Sequence, residues 1–184
     1  MDAVRKLLEE DGADPSVPGD DDPTRPPVYL ASINGHVEVV QLLLDHNANP
    51  NQAKTTDGAT PVYMAAQNGH IECLQLLLQH NADPKQATTD DGATPAFIAA
   101  KKGQAECLKL LLEHAADPNQ AKTTNGSTPV FIAAQNGHAA CLKLLLEHNA
   151  DPNQARTDGG DGKWTPLFIA TSKGHTAIAD MLRA

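Results

Sequence analysis

The stretch Thr60-Pro61-Val62-Tyr63-Met64-Ala65-Ala66-Gln67-Asn68-Gly69-His70-Ile71-Glu72-Cys73-Leu74-Gln75-Leu76-Leu77-Leu78-Gln79 carries two helices and the bend between them. Thr60 supplies an N-cap oxygen, and Pro61 follows where a missing N–H has no intrahelical role, so a helix starts here. Asn68-Gly69 stops it, because glycine readily takes the left-handed conformation that ends a helix. The second helix begins at once. Its apolar residues Ile71, Cys73, Leu74, Leu76, Leu77 and Leu78 cover most of the circumference and leave Glu72, Gln75 and Gln79 as a narrow polar stripe. Such a helix is sandwiched between neighbours. After Asn81-Ala82-Asp83-Pro84 the chain extends to Asp91-Gly92, a turn dipeptide suited to the tip of a hairpin-like finger.

This pattern repeats. Gly58-Ala59-Thr60-Pro61, Gly92-Ala93-Thr94-Pro95 and Gly126-Ser127-Thr128-Pro129 open segments of 34 residues each. Self-similarity at a fixed period means stacked units, none of which buries its apolar face alone. The fold class expected is an all-α repeat solenoid of helix-turn-helix units with projecting β-hairpin-like fingers. It forms one elongated domain over residues 1–184 with eleven helices. A capping half-unit and loop over 1–23 precede units at 24–57, 58–91, 92–125 and 126–162, and 163–184 forms the C-terminal cap. Polar residues mark the two ends: Glu9 stands where Leu44 stands in the next unit, and Arg183 where Leu146 would be. The proline-rich stretch Pro15 to Pro27 reads as the loosest part, and Asp158-Gly159-Gly160-Asp161-Gly162 lengthens the last finger.

The Thr-Pro start, the Ala-Ala pair in the first helix, the Gly-His turn, the Leu-Leu-Leu run and the Asn-Ala-Asp end recur together. In these motifs the chain resembles the ankyrin repeat over essentially its whole length. The resemblance implies a non-catalytic scaffold, acting as an adaptor, inhibitor or effector, that binds a partner protein through a concave face of fingers and first helices. Mapped onto this sequence, that face holds Arg25, Ile33, Asp57, Gln67, Asn68, Asp90, Asp91, Lys101, Lys102, Asn125, Gln135, Asn136, Trp164, Lys173 and also Lys163. Trp164 is the only tryptophan, and a large ring on a finger fills a partner's pocket at low entropic cost, so a footprint around Trp164, Lys173, Lys101 and Lys102 is the sharpest expectation. The alternative is that Trp164 packs on the last finger, leaving the lysines solvated. A monomer is expected. The runner-up function is a targeting or autoinhibitory repeat domain of a larger multidomain protein.

The sequence also departs from the family. Where ankyrin repeats usually carry a hydrogen-bonding histidine, this chain has Tyr29, Tyr63, Phe97, Phe131 and Phe168. A ladder of stacked or edge-to-face rings is therefore expected to replace polar bridging between repeats. The fingers are one residue longer than the family's usual length. Pro26-Pro27 lacks the threonine cap, and Ala115 replaces the asparagine found at 47, 81 and 149, so weaker order is expected at both places.

Composition excludes several function classes. A net charge of −9 argues against nucleic acid, whose phosphates are bound by lysine and arginine with release of counterions. Acidic residues interrupt the first ten positions where a secretory signal needs an apolar stretch, and no run reaches membrane-spanning length, so an intracellular location without membrane insertion is expected. Cys73, Cys107 and Cys141 share one repeat position and stand one helix-packing distance apart, roughly 8–10 Å, which is too far for a disulfide. The eight histidines likewise index to two repeat positions and form ladders, not a zinc shell. With no phosphate cradle or nucleophile elbow, neither an enzymatic activity nor a cofactor is expected.

Overall fold

The computed structural model describes residues 8–9, 12–18, 22–158 and 164–184, and among these are ten helices and no strand. The expected first helix lies outside the described residues except for Leu8 and Glu9, which are helical. Asp20, Asp21 and the inserted segment 159–163, with Lys163, also lie outside them. The helices come in pairs: α1 (Pro27–Asn34) and α2 (Val37–Asp45), α3 (Pro61–Asn68) and α4 (Ile71–Gln79), α5 (Pro95–Lys102) and α6 (Ala105–Glu113). Then follow α7 (Pro129–Asn136) and α8 (Ala139–Glu147), and α9 (Pro166–Lys173) and α10 (Thr176–Met181).

The local chemistry sets these boundaries. Thr60, Thr94 and Thr128 each accept the amide three residues on through Oγ1 at 3.1 Å, which satisfies a donor that the helix start leaves open. Pro26 offers α1 no such acceptor. The first helices end on glycine; at Gly103, φ is +75° and an added Cβ would lie 2.7 Å from Nδ1 of His138. Both the left-handed backbone and the close approach therefore require glycine there. The second helices end at His46, His80, His114 and His148, whose Nδ1 lies 2.9 Å from the carbonyl four residues back. The residue after each of them is left-handed, with φ of 66°, 62° and 61° at Asn47, Asn81 and Asn149, and 63° at Ala115. Alanine thus adopts the same backbone without a side-chain amide to ease it.

First helices pack on first helices and second on second, so the array has two helical rows. Between the rows, the paired alanines Ala65-Ala66, Ala99-Ala100 and Ala133-Ala134 are fully buried and let the backbones approach closely. Leu74, Leu77, Leu108, Leu111, Leu142 and Leu145 fill the remaining space, each contributing about 1.5–3 kcal/mol by leaving water. The three cysteines are free and buried among them.

Each finger is a closed turn. In the first, Lys54 donates its amide to the Ala59 carbonyl at 2.9 Å and Gly58 donates to Lys54 at 3.0 Å; the next two fingers repeat this pair. Adjacent fingers are joined by one main-chain bond each, from Thr55 to Thr24, Thr89 to Asp57, Thr123 to Asp91 and Thr157 to Asn125, at 2.8–3.1 Å.

Among the described residues the expected ring ladder does not form. Trp164 and Phe168 meet edge to face with centroids 5.4 Å apart, but among the described residues no other rings pair, and Phe97 and Phe131 instead carry cations from the following finger. Lys122 Nζ lies 5.5 Å from the Phe97 centroid, and the Arg156 guanidinium lies 5.4 Å from Phe131 and 6.0 Å from Trp164. The reason is distance: packed helices stand roughly 8–10 Å apart, beyond the 4.5–7 Å over which rings pair, and a long cationic side chain spans the difference. Polar bridging between units also persists, carried by the turn histidines. His70, His138 and His175 place Nε2 at 3.2 Å from the carbonyls of Ile33, Lys101 and Gln135 in the preceding unit. A carbonyl only accepts, so Nε2 carries the proton in all three.

Candidate finger-face binding site

The finger-tip residues among the candidates are engaged within the fold. Asp57, Asp91 and Asn125 each accept, through Oδ1 at 3.0 Å, the amide two residues on, which shapes the turn. Asp57 also pairs with Lys54 at 2.9 Å, while Asp91 pairs with Lys122 and accepts Thr88 Oγ1 at 2.9 Å. Burial raises the carboxyl pKa at both positions, but the hydrogen bonds and lysine partners outweigh it and hold both below the ordinary value.

The helix candidates divide. Asn68 and Asn136 are exposed, yet each donates Nδ2 at 3.1 Å to a carbonyl of the preceding unit, that of Ile33 or Lys101. Ile33, Gln67 and Gln135 are half-buried. Arg25 is exposed and pairs with Asp22 at 2.8 Å. Asp90, Lys101, Lys102 and Lys173 are exposed as well. Trp164 is 39% exposed, with its ring against Phe168 and the Arg156 guanidinium on it. It therefore both packs on the fold and presents an edge outward.

Four candidates meet at one place. Asp57, Gln67, Asp90 and Asp91 line a cleft of about 240 Å³ between the first two fingers and α3. Tyr29, Ala59, Tyr63, Met64 and Thr88 complete it. Tyr29, Ala59 and Met64 form a small apolar cluster separate from the main core, with Tyr63 packed against it. Burial and the nearby carboxylates of Asp91, Asp90 and Asp57 push the Tyr63 phenol pKa upward, so it stays protonated. Sequence reasoning missed Met64 and Thr88 and assigned the tyrosines to a structural ladder. A usable signal existed: Thr88 interrupts the series Lys54, Lys122, Arg156 at one repeat position.

The second-helix side carries a larger groove of about 560 Å³, lined mainly by Glu38, Gln41, Asp45, Glu72, Gln75 and Gln79 of α2 and α4. Among the described residues, no three His, Cys, Asp or Glu side chains converge as a metal site, and no helix is long and apolar enough to cross a membrane.

Two helical rows bearing a row of fingers define a class, the helical repeat solenoid with a laterally presented binding face. A family model described as ankyrin repeats, in three copies, matches residues 1–88, 28–122, 82–156 and 118–184, and the chain belongs to the ankyrin-repeat family. Ankyrin repeats are in general protein–protein interaction modules and typically non-catalytic. No curated protein matches the chain significantly.

Proposed function

We propose that this chain is a non-catalytic interaction scaffold, an intracellular monomer forming one repeat domain over 1–184 with caps at 1–23 and 163–184. It binds another protein through the finger and first-helix face. The observation that carries this reading is the finger face itself. Arg25, Asn68, Asp90, Lys101, Lys102, Asn136, Trp164 and Lys173 are exposed there, while the aliphatic core beneath them runs through every unit. Such a face offers varied side chains on a backbone fixed by neighbouring units, so little entropy is lost when a partner docks.

Affinity capture from a cell lysate tests this reading, with the native chain beside Trp164→Ala and Lys101→Ala/Lys102→Ala variants. A specific protein held by the native chain and lost by the variants is the expected result. Equal retention by all three would remove this face as the binding surface, and no specific protein from any lysate would count against a scaffold.

A further inference from the structure

The finger cations occupy one repeat position, 54, 122 and 156, and Thr88 holds the intervening place. Lys122 lies over Phe97 and Arg156 over Phe131, so each of these rings receives a cation from the finger that follows. Lys54 acts on Tyr29 by its charge, without lying over that ring among the described residues. Tyr63 is the ring whose finger supplies threonine. No cation lies over it among the described residues. Thr88 turns inward instead, donating to Asp91 and accepting the Ala93 amide.

The cleft occupies the place of the missing charge. The apolar cluster of Tyr29, Ala59 and Met64 lines part of it, and Asp57, Asp90 and Asp91 also line it. Lys54 neutralises Asp57 and Lys122 neutralises Asp91. Asp90 has no ion-pair partner among the described residues; its Oδ1 accepts the Asp91 amide. One negative charge in the lining is thus left over. Tyr29, only 4% exposed, lines this cleft, and its hydroxyl has no hydrogen-bond partner among the described residues. The ring is buried while the hydroxyl oxygen still reaches the cleft, so the phenol is open there to a donor from a bound molecule.

Resting on the reading of the finger face as the binding surface, we propose that this cleft receives one cationic side chain of the bound protein, an arginine guanidinium in preference to a lysine ammonium. The guanidinium lies flat on the Tyr63 ring and donates to the Tyr29 hydroxyl and the Asp90 carboxylate, taking the place that Lys122 and Arg156 take in later units. Anionic side chains are excluded by these carboxylates, and a neutral one leaves Asp90 uncompensated.

An amide-resolved NMR titration with Nα-acetyl-arginine methylamide tests this, with the norleucine analogue as the uncharged control. Saturable shifts are expected at Asp57, Tyr63 and Asp90 and not along α7, with no matching response to norleucine. Asp90→Asn, at an exposed position, weakens the response about threefold, the size of a solvent-facing charge contact. Thr88→Lys supplies the cation from within and removes the response. Absence of saturable shifts at those amides, an equal response to norleucine, or unchanged affinity in Asp90→Asn would overturn the proposal. The titration uses no partner protein, so its failure removes the cleft assignment and leaves the scaffold to the capture experiment.

Discussion

Ala115 holds a conformation that its three counterparts reach with asparagine. Its φ of 63° costs an L-residue with a Cβ roughly 1–2 kcal/mol, and asparagine relieves part of this through local hydrogen bonding. Ala115→Asn should therefore stabilise the chain by about 0.5–1 kcal/mol in urea unfolding; a loss of stability would show that this turn carries no strain. The cysteines give a second test. Burial pushes the thiols of Cys73, Cys107 and Cys141 up to about 11, so at neutral pH they are protonated as well as inaccessible. A thiol-reactive dye is expected to label none of them in the native protein and all three after denaturation. At this scale the sequence was legible where one residue type answers one backbone need, as at the left-handed glycines and threonine caps. The ring ladder was not, because side-chain reach across a repeat depends on the spacing between units.

At the scale of the element, the start of each Thr-Pro helix rests on one hydroxyl, and the turns at Asp57, Asp91 and Asn125 each rest on one carboxylate or carboxamide. Thr94→Ala is expected to cost about 1 kcal/mol, read as a shift in the urea midpoint. Finger pH dependence follows from Asp91. Its folded pKa lies below the ordinary value, so the folded chain binds fewer protons than the unfolded one in the acid range. The stabilisation is complete above the unfolded value near 4 and disappears as pH falls through the lower folded value. Asp91→Asn keeps the turn, since Asn125 shapes the next finger in the same way, but loses the pairing with Lys122. Its stability–pH curve should be shallower below pH 4 than that of the native chain, and parallel curves would show that the pairing adds nothing. Most helix pairs were readable from Thr-Pro and Gly-His, with Pro26-Pro27 and Gly103-Gln104 as the exceptions that the period itself carried. The fingers were readable only as turns, because the bonds joining them depend on the neighbouring unit.

For the whole molecule, stability is a sum of units and of the interfaces between neighbours, so position along the array decides the cost of a lesion. Leu111 is fully buried in the middle of the second-helix row, and Leu182 is only partly buried at the last helix end. Leu111→Ala should cost about 2–5 kcal/mol and Leu182→Ala well under half of that. Equal losses would contradict a stack held by neighbour contacts. The order of units was legible because one period governs the chain. The cleft was not, since it arises where one unit breaks the rule, at Thr88, and only packing shows what the break leaves open.

The bonds between fingers have a mechanical consequence. On the helical side, neighbours are joined by broad aliphatic contact, whereas on the finger side each joint has one main-chain hydrogen bond and a few side-chain contacts, such as that of Lys122 with Asp91. The array is thus a beam with a stiff edge and a compliant edge. Bending it to follow the contour of another surface would spread a small strain over every joint instead of opening one hinge.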